Sequence, residues 1–457
     1  MALYSLTAAD GFADVFAESA AVTFLVAVAC VLTTKGRRFE LGFRDAAVLT
    51  VVAWGAVPAF AALPLLASPI GLSSVDAYFE MVSGITTTGS TVLVNLDTAP
   101  PTVLLWRSTV QWIGGIGIIG IAILVLPFLR IGGMQLFRLE SSDRSEKAIP
   151  RLRTVALTVG EIYLLLTAAC LAAYWLLGMT FFDALNHALT TLATGGFSTH
   201  DASFGYFDSM GLQWAATTFM TLAALPFLAY YRLLHHHSRQ DRLDPQVVRF
   251  VVTLVILSFL FAIWLHAAWG IDADEALTLS TFNIVSVVTT TGYASTDYLM
   301  WGAFAATLFF ALTFVGGCTG SSTGAIKIFR FQVMAGMVLQ HLRGVFHPHS
   351  VVPVRFGART VTDAQVASVG SFIFLYFLCF AAFAFALTTI GLDTETSLSA
   401  AATALGNVGP GIGQVIGPAG NFTSLPDSAK LILCAAMIIG RLEIVGVLVL
   451  FHPGFYR

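Results

Sequence analysis

The sequence predicts an all-α polytopic membrane protein: four membrane-pore-membrane repeats with pseudo-fourfold symmetry around one pore, preceded by one extra transmembrane helix. Three observations predict it. The 457 residues are 57% hydrophobic and 11% charged, with a mean hydropathy of +0.82, whereas soluble domains carry about 25% charged residues. The basic residues are bunched rather than spread. One short Thr/Gly string recurs four times, about 100 residues apart.

The first apolar span, near residues 14 to 33, is long enough for a hydrocarbon layer of about 30 Å, which takes roughly 20 residues. More spans follow it, so a cleaved signal peptide is not expected. It ends at the basic cluster Lys35 to Arg44; the other clusters are Arg130 to Arg153, Arg232 to Arg249 and Lys327 to Arg359. The positive-inside rule makes these cytoplasmic and puts the N-terminus outside. No Lys or Arg occurs from Thr154 to Tyr231 or from Phe250 to Ile326. Each such stretch begins and ends on the cytoplasmic side, so it holds an even number of crossings, and two crossings leave a polar middle over.

On this logic the spans run 46–66 and 103–128, 154–177 and 211–234, 247–269 and 299–340, 366–391 and 429–452, nine crossings with the first. The expected organisation is the extra helix in 1–45, repeat 1 in 46–130, repeat 2 in 131–240, repeat 3 in 241–350 with an interrupted second helix, and repeat 4 in 351–457. The cysteines Cys30, Cys170, Cys318, Cys379 and Cys434 form no CxxC pair, so neither a disulfide framework nor a metal site is expected.

The polar middles are Ile85-Thr-Thr-Thr-Gly89-Ser-Thr, Leu192-Ala-Thr-Gly-Gly196-Phe-Ser, Val288-Thr-Thr-Thr-Gly292-Tyr-Ala and Leu405-Gly-Asn-Val-Gly409-Pro-Gly. Aligned on the common glycine, they offer Thr87, Thr88 and Gly89; Thr194, Gly195 and Gly196; Thr290, Thr291 and Gly292; Asn407, Val408 and Gly409. Thirteen residues before the glycine stand Asp76, Asp183, Leu279 and Thr396, three of which can cap a short helix. A lone TTTG is usually just a turn in a membrane protein, but four copies in four matching hairpins are not. Irregular backbone at membrane depth survives only where protein buries it or a wet cavity adjoins it, so the four segments are expected to meet on one axis. A dehydrated cation needs oxygens in place of its water, and rings of backbone carbonyls supply them. Glycine permits the backbone angles that turn successive carbonyls inward, and the short helices aim their negative ends at the same cavity.

These strings, with Gly114-Gly115-Ile-Gly117, Thr194-Gly-Gly-Phe-Ser-Thr-His-Asp201, Gly316-Gly-Cys-Thr-Gly-Ser-Ser-Thr-Gly324 and Gly440-Arg-Leu-Glu443, make the chain similar to the superfamily of potassium transporters comprising the Trk, Ktr and plant HKT proteins. The resemblance is nearest to the TrkH branch and covers essentially the whole chain. It implies one K+ path per subunit with K+ bound at the filter residues, a homodimer in the bilayer, and residence in a bacterial inner membrane. It also implies a cytosolic nucleotide-binding regulatory subunit of the TrkA type, for which the chain itself offers only a basic cytoplasmic face. No organic or covalent cofactor is expected; K+ is the transported ion. TrkH-like relatives begin with two helices before the first repeat, and only one is expected here. Each filter shares a single glycine, which implies weaker discrimination against Na+ than in tetrameric potassium channels. In plant relatives a serine at the first filter glycine accompanies sodium preference, and Gly89 therefore favours potassium.

The Gly316 to Gly324 stretch cannot be a stable membrane helix. By resemblance it is an intramembrane gate loop beneath the filter, with Gly316, Gly317, Gly320 and Gly324 its pliable positions; the competing reading is a small-residue helix contact. Arg441 lies inside an apolar run, which is a functional hypothesis by default. Glu443 is two positions on, about 200° around a helix, so it cannot face Arg441; Arg441 is expected in the pore, adding by resemblance a barrier to cations. Glu161, in an apolar span, is expected to be buried and hydrogen-bonded rather than a proton relay. His235, His236 and His237 are expected in a solvated loop, and Glu80 and His187, both nine before a filter glycine, in packing behind it. The leading function is gated, channel-like potassium uptake. The alternative is a K+ symporter coupled to H+ or Na+, and no acid pair or Ser/His cluster supports an intramembrane enzyme.

Overall fold

The computed structural model describes residues 1–36, 42–124, 148–235, 244–347, 349, 352–357 and 359–455. A short helix that the sequence reading lacks, Ala2–Ala8, comes first. Asp10 accepts a hydrogen bond from the Thr102 amide at 3.0 Å, and Phe16 packs edge-on against Trp106 at 5.7 Å. These contacts tie the chain start to the end of Pro101–Leu124 nearest the first filter. From there Ala13–Thr34 runs for 22 residues, about 33 Å at 1.5 Å per residue, to the Lys35 side. The N-terminus therefore shares the side of the Thr/Gly segments, as the charge pattern requires.

Among the described residues five helices are long and apolar enough to cross a membrane: Ala13–Thr34, Arg44–Leu66, Thr154–Leu176, Pro245–Trp269 and Asp363–Thr389. Pro245–Trp269 shows why such a span starts and stops where it does. Asp244 accepts from the Gln246 amide at its N-cap, Pro245 occupies the first turn, and Gly270 closes it at φ 68°.

Four short helices lie between the spans: Ser74–Ile85, Phe181–Leu192, Ala273–Val288 and Thr394–Gly406. Their caps differ from the expected ones. Ser73, Thr180 and Asp393 cap the first, second and fourth, accepting from the amides of Asp76, Asp183 and Thr396. The residues expected to cap thus sit three positions inside, where Asp76 and Asp183 accept from the cap hydroxyls at 2.9 and 2.6 Å. In repeat 3 the helix begins at Ala273 and runs 16 residues, so Leu279 lies well inside it.

Among the described residues the second helix of three repeats is broken rather than one. Repeat 3 passes from Gly302–Leu312 through the glycine-rich loop to Ile328–Phe346. The spans expected at 211–234 and 429–452 are bent pairs as well: Met210–Ala223 with Phe227–Leu233 at 86°, and Asp427–Arg441 with Val445–Phe451 at 102°. Pro226 interrupts the first. At the second, Glu443 adopts φ 60°, a conformation that bulky residues rarely take unless their surroundings impose it.

Successive repeats pack side by side and the fourth returns to the first. Phe79 and Val82 of the first short helix share a core with Phe422, Leu433 and Met437 of repeat 4. The Phe422 amide donates to the Thr91 carbonyl at 2.9 Å, and Lys430 pairs with Asp76 at 2.5 Å. Lys430 and Arg107, basic residues near the filter side, are both buried in ion pairs.

Candidate functional site

The four Thr/Gly segments follow the four short helices and share one backbone pattern. Two residues before the glycine, Thr87, Thr194, Thr290 and Asn407 have φ of 52°, 52°, 55° and 53°; Gly89, Gly196, Gly292 and Gly409 have φ of 88°, 71°, 81° and 106°. The residues between them, Thr88, Gly195, Thr291 and Val408, have negative φ. Alternation in the sign of φ turns successive carbonyls to one side of the strand, whereas a regular helix or strand would not. Left-handed threonine costs about 1–3 kcal/mol per site, and strain of that kind collects at functional sites.

The glycines close the ring. A Cβ on Gly89 would collide with the Gly195 carbonyl, one on Gly196 with that of Thr291, and one on Gly292 with that of Val408. One on Gly409 would lie 2.7 Å from the Thr88 carbonyl. Each glycine thus makes room for the middle carbonyl of the next repeat, in the order one to two to three to four and back to one. All twelve expected filter residues come together: nine are buried, and Gly89, Gly196 and Gly292 are half-buried. Thr87 Oγ1 and Asn407 Oδ1 are buried acceptors with no hydrogen-bond partner among the described residues. No group of three His, Cys, Asp or Glu residues gathers as metal ligands among the described residues, so the oxygens on offer are carbonyls and hydroxyls.

Behind the ring a second repeat emerges at the position nine before the glycine. Glu80 accepts from the Val92 amide at 2.9 Å, His187 meets Ser198 Oγ at 3.0 Å, and Asn283 donates to Ser295 Oγ at 2.8 Å. In repeat 4 that position is Ala400, and its neighbour Ser399 instead accepts from the Ile412 amide. Each short helix therefore holds the strand just beyond its own glycine. Arg107 reinforces repeats 1 and 2: its Nε donates to Glu80 at 2.7 Å, its other nitrogens to Thr91 Oγ1 at 3.0 Å and Ser198 O at 3.3 Å, and its guanidinium lies 4.1 Å over Phe197. Gln111 spans the second strand, donating to Gly195 O at 2.7 Å and accepting from Phe197 N at 3.1 Å. Sequence reading missed Asn283, Ser399, Arg107 and Gln111; the nine-residue offset shared by Glu80, His187 and Asn283 was the signal available.

The Gly114-Gly115 motif has a steric reason. A Cβ on Gly114 would meet the Ile85 backbone, and one on Gly115 would lie 2.8 Å from Ala193 Cα. Gly440 stands likewise against Leu405 O. These glycines let the second helices reach the ends of the short helices.

Below the ring lies the glycine-rich loop. Its ends pair in parallel, Val315 with Ile326 and Gly316 with Lys327. Its polar groups are met from several elements: Cys318 N donates to Ala224 O at 3.0 Å, Thr319 N to Gln246 Oε1 at 3.0 Å, and Ala325 N to Gly406 O at 2.8 Å. It touches the ring directly, for Gly324 N donates to Thr290 Oγ1 at 2.8 Å and Thr194 Oγ1 meets Ser322 Oγ at 3.2 Å. Between the loop and Gly440-Arg441 remains a cavity of about 20 Å³, where a water needs roughly 10–15 Å³.

Arg441 is buried beside this cavity and does not pair with Glu443. Glu443 pairs instead with Arg330 at 2.7 Å, a partner 113 residues away that sequence reading did not find. Glu161 is exposed on its helix, which corrects the buried role expected for it: that position turns out of the bundle rather than into it. His236 and His237 lie outside the described residues.

At the outer end His200 Nδ1 meets Asp97 at 2.6 Å, and its Nε2 lies 3.5 Å from Asp183. Burial alone would lower the His200 pKa, but hydrogen bonds to Asp183 and Asp97 outweigh it and raise it. The bond from His200 holds Asp97 below the usual carboxylate range.

The family model for TrkH, described as a cation transport protein, matches residues 13–454. The chain is 48% identical over 411 residues to the Trk system potassium uptake protein TrkI of Halomonas elongata, covering 90% of this chain and 83% of that one. It is 35% identical over 462 residues to TrkH of Escherichia coli, covering 100% and 95%. The crystal structure of the potassium transporter TrkH from Vibrio parahaemolyticus superposes with a TM-score of 0.88 at 33% identity, covering 100% of this chain and 97% of that one.

Proposed function

This chain belongs to the TrkH family of cation transport proteins, and from that premise we propose that it takes up potassium through a gated pore whose selectivity filter is the ring at Gly89, Gly196, Gly292 and Gly409. The observation that carries the reading is the cyclic contact in which each filter glycine accommodates the next repeat's middle carbonyl. Four strands closed in that way present carbonyls to one axis, the arrangement that replaces the water of a bare cation. Selectivity is then a matter of binding in the ring, and no catalytic step is needed.

The gate is the Gly316 to Gly324 loop, with Gly316, Gly317, Gly320 and Gly324 giving it the freedom to move and Arg441 the barrier beneath it. Support comes from the hydrogen bonds between the loop and Thr290 and Thr194, and from a cavity below the ring hardly larger than one water. On this reading the arrangement here is the closed one. The organisation into an extra helix (1–45) and four repeats (46–130, 131–240, 241–350, 351–457) follows the same cyclic contacts. A homodimer and a cytosolic TrkA-like subunit that opens the gate complete the proposal.

Purified protein in liposomes, given K+, Na+ and pH gradients one at a time, tests it. A reversal potential that follows the K+ gradient and ignores pH supports a channel-like pathway. A K+ reversal point shifted by a pH or Na+ gradient would make the protein a coupled symporter.

A further inference from the structure

Arg441 is the least satisfied charged residue described in the protein. It is 3% exposed, and Nε and both terminal nitrogens lack a hydrogen-bond partner among the described residues. An unpaired buried guanidinium is costly, because neither water nor a counter-charge replaces its hydration. The cavity it lines is also lined by Lys327 and Glu443. Lys327 is buried too, and among the described residues its Nζ is bonded to the carbonyl and hydroxyl of Thr323, both neutral. Glu443, the cavity's carboxylate, is engaged by Arg330. Of the described charged residues lining the cavity, Lys327 and Arg441 are cationic and Glu443, already paired with Arg330, is the one carboxylate, so the lining carries an excess of positive charge.

We infer that the cavity is a binding site for a single small monovalent anion, chloride, held by the Arg441 guanidinium with Lys327 as its second cation. The volume of about 20 Å³ is near that needed for one water, the scale of a single monatomic anion. A water in the same place would meet some of the donors but leave the charge uncompensated. The remaining lining leaves room for an anion, since Gly320 and Gly324 bring backbone close without bulk. Because the gate loop forms one wall, the anion stabilises the closed arrangement: a ligand that binds one arrangement better shifts the population toward it. The inference concerns an anion in the closed protein and does not require that potassium pass the filter.

The test uses the full-length protein crystallised in bromide, with diffraction recorded at the bromine absorption edge. An anomalous peak within hydrogen-bonding distance of the Arg441 guanidinium is expected; bromide peaks elsewhere with none at Arg441 would overturn the site. In solution, thermal unfolding is followed as chloride replaces gluconate at constant potassium and ionic strength. The wild-type midpoint should rise by roughly 2 °C or more and saturate, and R441Q should lose that rise while K327M weakens it. An equal rise in R441Q, or no rise in the wild type, would contradict the assignment. Neither measurement reads potassium flux, so failure here leaves the pore reading standing, and an inert pore would leave the anion site standing.

Discussion

Removing Arg107 should loosen the first two filter strands while leaving the other two in place. Its guanidinium is 1% exposed and its partner Glu80 0%, so each depends on the other for its charge. Replacement by alanine strands the Glu80 carboxylate with only the Thr91 hydroxyl and the Val92 amide. Truncating one side of a buried ion pair costs about 3–5 kcal/mol. The individual losses, a charge-assisted bond of roughly 1.5–3 kcal/mol, two neutral-acceptor bonds of about 1 kcal/mol each and a stack on Phe197 of about 0.5–2 kcal/mol, come to about 4–7 kcal/mol and so place the cost at the upper end of that range. The double variant E80Q/R107M leaves no orphan charge and should be more stable than the sum of E80Q and R107M predicts, with a coupling of about 2–3 kcal/mol. The assay is unfolding of the detergent-solubilised protein followed by tryptophan fluorescence, across the four-member cycle. Thr91 and Ser198 lie two residues beyond Gly89 and Gly196, so K+ over Na+ discrimination should fall along with stability in R107M. Additivity within about 0.5 kcal/mol, or a cost for R107M under about 1 kcal/mol, would refute the reasoning.

Gly196→Ala should abolish selective flux, because φ is 71° and the new Cβ meets the Thr291 carbonyl. Gly120→Ala, whose Cβ meets nothing within 4 Å, should leave the reversal potential unchanged. Arg441→Ala should raise partner-free potassium flux in liposomes, and unchanged or lower flux would count against a pore barrier. Shortening the Gly316 to Gly324 loop should raise it likewise. The His200 bridge should make stability depend on pH. The raised His200 pKa gives stability that is full below the ordinary value of about 6.5 and lost as pH rises through the folded value, while the lowered Asp97 pKa gives stability lost only in acid. The thermal midpoint should therefore decline on passing from mildly acidic to alkaline pH, and H200Q should flatten that decline.

The ring was legible in the sequence because its demands are local. Left-handed backbone needs glycine or a tolerated substitute, and that need repeats at one offset in Gly89, Gly196, Gly292 and Gly409. The polytopic helical class was legible for a similar reason, since hydrophobic length and basic clusters are properties of single segments; the nine expected crossings compare, among the described residues, with five spanning helices, or seven with each bent pair taken as one. The missed features depend on distant partners or on energies too small to show in composition. Arg330 and Glu443 meet only after folding, and the corner that bends the last helix has no Pro or Gly at the break itself, residues 442–444. The bend at Pro226 was visible as a proline but was read through, since membrane helices tolerate proline where neighbours satisfy the freed groups. The cap assignment slipped by three residues because Ser73 and Thr180 cap together with the acids Asp76 and Asp183, and either member of such a pair looks like a cap. Glu161 was misplaced because an acid in an apolar span is ordinarily turned inward.

The central claim is that four chain segments make one cation site from backbone carbonyls. Crystals grown in rubidium or thallium salts, with anomalous diffraction recorded for the heavy cation, test it most directly. The account predicts peaks on the axis enclosed by the carbonyls of Thr88, Gly195, Thr291 and Val408, weakened when sodium is exchanged for the heavy cation. Peaks confined to carboxylates away from that axis, or an empty ring at saturating rubidium, would contradict it.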